Sequence, residues 1–352
     1  MNQQGRIHCP PDQGAPDGRA APRSGHEDAT GDLIGADSSL SLMFYPEPTM
    51  VAAHCPPPRI ALVSTRDALQ RDEDLLPLET ALREAGATPV VVCWDDAAVD
   101  WGSFATVLVR STWDYSWRLP EFLRWAEQVS ARTRLSNPLP LLRWNADKRY
   151  LEQLARHGIA TVPTHFVAPD ADAPQALAAA RQRWPQAELV IKPSISAGSR
   201  DTMRHGTDAQ AAMLAHLRGI QDSGRHALIQ PYLARVDAEG ESALLFFGGA
   251  YSHAIRKGPL LRTDAAPTRA LFAPEHIQPR QPAADELALA GRILDVLPRL
   301  LPDAPPLYAR VDLLRDGAGA PCVIELELIE PSLFLDFAPG AARRLAAALL
   351  GA

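Results

Sequence analysis

Asp312, Glu325 and Glu327 lie on two arms, Tyr308 to Arg315 and Val323 to Leu328, joined through Asp316 to Gly319. Asp and Gly supply the backbone angles of a tight turn, so the stretch reads as a β-hairpin. Polar and apolar residues alternate on both arms, and an even loop length puts Arg310, Asp312, Glu325 and Glu327 on one face. Three carboxylates so close repel one another unless a cation neutralises them. Oxygen ligands on rigid strands suit Mg²⁺, which takes a few carboxylates and completes its shell with water and phosphate. The competing reading is the solvated outer face of an antiparallel sheet, where charges alternate with core residues anyway.

Two further segments carry candidate ligand groups. Leu189-Val-Ile-Lys192 reads as an apolar strand ending in a lysine, followed by the small-residue run Ser196, Ala197, Gly198 and Ser199. A strand-fixed ammonium next to a nest of backbone N–H groups faces oxyanions well, although no G-x-x-x-x-G-K-[ST] element is present. Arg110, Ser111, Thr112, Trp113, Asp114 and Tyr115 directly follow the strand Thr106-Val-Leu-Val109. Ligands of open α/β sheets bind beyond the carboxyl ends of strands, so this polar and aromatic string is read as a substrate contact. A capping turn with a half-buried Trp is the alternative.

The elements that must position these groups come in order. Ile60-Ala-Leu-Val63, Pro89 to Cys93 and Thr106 to Val109 are strands, with a helix over Asp74 to Ala85 that stops at Gly86. Strand, helix, strand implies right-handed crossovers and a parallel sheet. Helices are expected over Pro120 to Ala131 and from Asn145, as cap, to Gly158, which places Lys148 in a first turn where a cation opposes the helix dipole. A strand follows at Thr161 to Val167 and a helix at Ala173 to Trp184. Thr207 to Gln210 resembles a capping box opening a helix to about Leu217. Ala227 to Leu233 is a strand interrupted by Pro231, which suggests an edge or a hinge. Glu241 to Phe247 and Ala250 to Lys257 pair around Gly248-Gly249, residues 258 to 281 form a long lid-like loop, Pro282 to Leu300 is a helix, and Ala341 to Leu350 closes the chain.

Composition narrows the class. The chain has 352 residues, 46% hydrophobic and 22% charged, which suffices for a large core. Net charge is -7, and no basic cluster could track a nucleic-acid backbone. No apolar run could span a bilayer. Cys9, Cys55, Cys93 and Cys322 lack metal or redox spacing, which fits a reducing, cytoplasmic setting. Residues 1 to 57 are rich in Pro, Gly, Asp and Ser, and are expected to be a disordered tail. Leu42 to Tyr45 is its one apolar island, and Met43 or Met50 is an alternative start.

Taken together, Arg110-Ser-Thr-Trp-Asp-Tyr115, Trp144-Asn-Ala-Asp-Lys148, Val190-Ile-Lys-Pro193 and Glu325 to Phe334 resemble the ATP-grasp superfamily of carboxylate–amine ligases. Within it they resemble the branch of the O-ureido-serine cyclo-ligases of D-cycloserine biosynthesis. The resemblance covers residues 59 to 352. It implies an α/β (α+β) ATP-grasp fold behind an N-terminal half-Rossmann, pre-ATP-grasp domain, divided as 58–144, 145–228 and 229–352. It also implies that Lys148 and Lys192 bind nucleotide phosphates under the loop Ser196 to Thr202. Gln230, Tyr232 and Leu233 would meet the adenine, with Glu241 near the nucleotide. Asp312, Glu325 and Glu327 would hold two Mg²⁺ ions, with Mn²⁺ as the alternative metal; many relatives carry Asn at the position of Glu327.

The implied chemistry converts a small amino-acid-like carboxylate into an acylphosphate, which a nitrogen attacks to give an amide or a ring. Arg310 and Arg256 are the candidates for stabilising the phosphoryl and acyl oxygens. A glutathione-synthetase-like peptide ligase and a non-catalytic nucleotide-binding regulator are the competing functions. A homodimer is the expected assembly.

Overall fold

The computed structural model describes residues 56–263, 265 and 276–351. The expected tail with its apolar island and alternative starts, and most of the long loop's middle, lie outside the described residues. Three sheets organise the rest.

The first is built from β1 (Arg59–Ser64), α1 (Leu75–Glu84), β2 (Thr88–Cys93), β3 (Thr106–Ser111), α2 (Leu119–Ser130), β4 (Arg134–Ser136) and α3 (Leu139–Asn145). Its strands run parallel in the order β2-β1-β3-β4. The central strands β1 and β3 are short apolar runs buried on both faces, as covered parallel sheets require, while the edge strand β2 is half-buried. Trp94, Trp101, Phe122 and Trp125 fill one face, while Leu78 and Leu82 of α1 cover the other.

The second sheet follows α4 (Tyr150–Arg156) and comprises β5 (His165–Val167), α5 (Ala173–Arg183), β6 (Leu189–Pro193), β7 (Met203–His205), α6 (Gln210–Asp222) and β8 (Ala227–Pro231). Its order is β5-β8-β6-β7, all antiparallel. β8 is thus interior, and Pro231 ends it; the reading of an edge strand is corrected, because a proline at the last residue removes no interior rung. α6 begins after Ala209 with no side-chain cap, so the Thr207 box does not form.

The third sheet follows α7 (Val236–Glu239). It contains β9 (Glu241–Phe247), β10 (Ala250–Lys257), β11 (Ile277–Arg280), α8 (Ala284–Leu300), β12 (Tyr308–Arg315) and β13 (Pro321–Glu327), and α9 (Ala341–Leu350) ends the chain. The order is β11-β10-β9-β12-β13. Both faces are covered. Leu244, Phe246, Val311 and Leu313 pack with Leu289 and Ile293 of α8, and with Tyr150, Leu151 and Leu154 of α4. Leu245, Phe247 and Tyr308 pack with Leu345 and Leu349 of α9.

A helix opening at Asn145 is also corrected. α3 already ends there, and Lys148 lies in the turn before α4. Asn145 cannot cap because its side chain serves β13, the last strand of the third sheet. Its Nδ2 donates to Leu326 O at 2.7 Å, and its Oδ1 accepts from Leu328 N at 2.8 Å. Tyr150 Oη exchanges hydrogen bonds of 2.9 Å with the Leu326 backbone, and Val323 pairs with Ala160 and Val162 at 2.9 Å.

Candidate active site

One cavity of about 410 Å³ lies where the three sheets meet, and the acidic hairpin forms its floor. Register explains the floor. Arg310 faces Glu327 and Asp312 faces Glu325, so all four side chains share a face, but not through the even loop expected: Arg315 pairs with Pro321, the loop 316–320 is odd, and a bulge brings the two arms into phase. One residue later the register slips, leaving Ile324 as an extra residue in β13. The same face continues across β9 and β10, because Glu241 and Lys257 are register partners there.

Lys257 is one of the residues that the sequence reading missed. Its Nζ donates to Glu241 Oε1 and Asp312 Oδ2, both at 2.7 Å. Arg256 is one residue out of phase, and it does not reach the cavity. Its guanidinium instead donates to the carbonyls of Glu239 at 2.8 Å and Ala238 at 3.0 Å, capping α7. Gly240 makes this packing possible: at φ 73° a Cβ would lie 2.5 Å from the Lys257 carbonyl oxygen. The Gly248-Gly249 turn pairs Phe247 with Ala250, a register that would set Arg256 opposite Glu241; the shift between Tyr251 and His253 puts Lys257 there instead.

The carboxylates are held by a ring of cations. Arg310 donates to Asp312 through Nε at 2.9 Å and Nη2 at 2.8 Å, to Ser332 O at 3.2 Å, and pairs with Glu327. Lys148 Nζ lies 2.9 Å from Glu325 Oε1 and donates to Ser196 O at 2.6 Å. Burial opposes the charge of Asp312, but Arg310 and Lys257 outweigh it and hold its pKa well below the usual carboxylate range. Lys148 and Lys192 likewise overcome burial and lower that of Glu325. Burial, together with Glu325 and Asp312, pushes Glu327 up to about 7 against the pull of Arg310. Burial also brings Lys192 down to about 8, with Lys148 adding to the effect.

The same cavity gathers Ser196, Ala197, Gly198 and Ser199, together with Gln230, Tyr232 and Leu233. Val162, Val190, Leu314 and Ile324 add an apolar slot beside them. Tyr232 is fixed from outside: Arg204 stacks 3.5 Å over its ring, and its hydroxyl donates to Asp237 at 2.5 Å. Gln230 donates to Thr164 Oγ1 at 2.8 Å. Gly258, Leu260 and Leu261, at the start of the long loop, complete one wall.

The string after β3 divides. Trp113 and Tyr115 line the cavity, whereas Arg110, Ser111, Thr112 and Asp114 do not. β3 extends through Ser111, so these side chains are sealed behind the wall. Arg110 donates to Pro331 O at 3.2 Å and to Asp74 Oδ2 at 3.4 Å. Asp74 also accepts from Leu333 N and Leu335 N at 2.6 and 2.7 Å. Ser111 Oγ bonds Ser64 Oγ at 2.8 Å, and Asp114 accepts from Trp94 Nε1 at 2.9 Å. In this structure the group braces the wall from behind. Arg71, Asp72, Glu73 and Asp74, in the loop after β1, do line the cavity and were missed. Their signal was four consecutive charges beyond the carboxyl end of a parallel strand.

Among the described residues, no three acidic, His or Cys side chains already converge as a metal cage. The donors nevertheless fit a hard divalent ion: they are carboxylate oxygens on rigid strands, and the raised pKa of Glu327 marks surplus acid that such an ion would relieve.

A small antiparallel sheet and a larger one closing on a lysine- and carboxylate-lined cleft, behind a half-Rossmann domain, define an ATP-grasp ligase. A D-alanine–D-alanine ligase from Bacillus anthracis, solved with ATP, shares this fold at TM-score 0.59 and 14% identity, covering 84% of this chain and 96% of that one. The crystal structure of D-cycloserine synthetase DcsG superposes at TM-score 0.79 with 40% identity, covering 83% of this chain and 99% of that one. The curated cycloserine biosynthesis protein DcsG of Streptomyces lavendulae is 41% identical over 292 residues, 82% of this chain and 97% of its own. The family model of the DcsG N-terminal domain matches residues 60–137. The chain belongs to the DcsG family of ATP-grasp ligases, and it is an ATP-dependent carboxylate–amine ligase. Among the described residues, no helix is long and apolar enough to cross a membrane.

Proposed function

We propose that this ligase activates the carboxylate of an O-ureido-serine-type amino acid and closes it to a ring, giving D-cycloserine. The observation carrying this is the convergence of Lys148, Lys192, Lys257 and Arg310 with three carboxylates in one small cavity, in a chain 41% identical to DcsG over 97% of DcsG's length. The divisions near residues 144 and 228 belong to the same reading, as does a cytoplasmic setting.

ATP is a substrate here. Its adenine fits the slot of Val162, Val190, Leu233 and Leu314, against the backbone of Gln230 to Leu233. Lys148, Lys192 and Lys257 hold phosphate oxygens, and the loop Ser196 to Ser199 covers them. Asp312, Glu325 and Glu327 would hold Mg²⁺, which supplies positive charge to the transferring phosphoryl group. A carboxylate oxygen of the amino acid attacks the γ-phosphorus, and the bond to the β-phosphate bridging oxygen breaks, releasing ADP. The O-bonded nitrogen of the ureido group then attacks the acyl carbon and gives up its proton, the C–O bond to phosphate breaks and phosphate leaves; water cleaves the carbamoyl group from that nitrogen, releasing carbon dioxide and ammonia and leaving D-cycloserine. Arg310 lies where charge collects on the acyl and phosphoryl oxygens. The acidic end of the cavity, with Asp72, Glu73 and Glu330, suits the ammonium group of an amino acid.

The test supplies Mg²⁺ and ATP with O-ureido-D-serine, with D-alanine, or with γ-glutamylcysteine plus glycine. Phosphate release and D-cycloserine formation with the first alone support the proposal. Turnover only with the peptide pair would establish a peptide ligase instead, and ATP binding without turnover a regulator.

A further inference from the structure

The loop between β6 and β7 is attached at both ends to different parts of the molecule. Lys148 N donates to Ser194 O at 2.8 Å, and the Lys148 ammonium holds Ser196 O. At the far end, Asp201 Oδ2 accepts from Arg225 at 2.9 Å, and its carbonyl is bonded by His216 Nε2 at 3.0 Å. Between these anchors the loop leans on the first sheet. Ala197 packs against the buried core cluster of the first sheet. Three residues on, the Arg200 guanidinium stacks 3.6 Å over the ring of Trp117.

Trp117 calls for an explanation of its own. It follows the β3 string on a short 3-10 turn, Tyr115–Trp117, and is 49% exposed, among the few large apolar side chains left at the surface of the described residues. An indole in water is costly unless something uses its face. A guanidinium above that face gains cation–π and stacking energy, and it places the indole beside the segment that would cover the phosphates.

We infer that Arg200 and Trp117 form a latch that holds the Ser196 to Ser199 loop closed over the nucleotide phosphates, so that Trp117 is a positioning residue for ATP although it does not line the cavity. The inference rests on the ligase reading, but its readout is separate from the identity of the acceptor. The first sheet thereby acts on nucleotide binding as well as on the amino acid.

The test is calorimetric titration of the full chain with ATP and Mg²⁺, without acceptor. The proteins compared are the parent, Trp117→Ala, Trp117→Phe, Arg200→Ala and the Trp117→Ala/Arg200→Ala double variant. Trp117→Ala should weaken ATP binding about 3- to 30-fold, the range of a cation–π contact from exposed to desolvated. Trp117→Phe should recover most of the loss, because a face remains for the guanidinium. The double variant should bind no more weakly than the worse single variant, since both remove one contact. The latch leaves the melting temperature without nucleotide near the parent value, whereas a general loss of fold lowers it. ATP affinity at the parent level in Trp117→Ala, or additive losses in the double variant, would overturn the latch. A loss confined to Arg200→Ala would also overturn it, by making Arg200 a direct phosphate contact. A parent chain that fails to bind ATP would instead overturn the ligase reading.

Discussion

Lys257 reaches over β9 to Asp312, 2.7 Å from its Oδ2, and joins the first arm of the acidic hairpin to the wall that carries Glu241. Both groups are almost wholly buried, and removing Lys257 would leave Asp312 with Arg310 as its remaining cation. Lys257→Met should cost about 3–5 kcal/mol of stability, the range for breaking a buried pair from one side. It should also lower turnover at saturating amino acid. Denaturant unfolding and phosphate release measure the two effects, and parent-like values in both would remove Lys257 from the site.

Asp312→Asn and Glu325→Gln should each lower turnover by at least about 10²-fold, the scale of removing one preorganised electrostatic group. Circular dichroism should show both variants folded. Each substitution keeps the shape and removes one charge, so full activity in either would count against these residues as magnesium ligands.

Lys192 links ATP affinity to pH. Burial lowers its pKa to about 8, so in the nucleotide-free protein the ammonium is charged below that value and neutral above it. Only the charged form attracts phosphate. ATP affinity should therefore fall as pH rises through about 8. Lys192→Arg should flatten that limb, because a guanidinium stays protonated. Lys192→Ala should weaken binding by roughly 1.5–3 kcal/mol at neutral pH. A pH profile unchanged by Lys192→Arg would assign the titration to another group.

Asn137 is fully buried and ties the first sheet to the hairpin. Its Nδ2 donates to Tyr308 O at 2.9 Å and Leu328 O at 2.8 Å, and its Oδ1 accepts from Leu307 N at 2.6 Å. Asn137→Ala strands three backbone groups, each worth roughly 1–3 kcal/mol when buried without a partner. A loss of about 3 kcal/mol or more is expected by urea denaturation, and a loss below about 1 kcal/mol would mean that water replaces the amide.

The sheets and the floor of the site were legible because strand alternation is a two-residue code. It grouped Arg310 with Asp312 and Glu325 with Glu327, each pair on one face of its own arm, whereas the extra residue Ile324 is what brings the two pairs onto a common face. The same code misassigns β10, because the register shift between Tyr251 and His253 sets Lys257 rather than Arg256 opposite Glu241, and the pairing of β9 with β12 then brings it to the floor. Pairing between strands distant in sequence is a property of topology, not of local pattern. Arg110 shows the converse. A charged residue after an apolar strand suggests a ligand, but β3 runs two residues beyond Val109 and buries it against Asp74. Asn145 had the composition of a helix cap, and a tertiary partner, Leu326, claimed its amide instead.

The bonds from Asn145, Tyr150 and Val162 to β13 have a consequence for how copies of the chain meet. β13 is the outermost strand of its sheet, and an open margin of peptide groups invites a foreign strand to zip alongside. Here the outward groups of Val323 and Leu326 are already spoken for, and at the opposite margin Pro279 offers no N–H. The strand that carries two of the acidic groups is therefore guarded against cross-chain templating, which keeps the catalytic floor intact in a crowded solution.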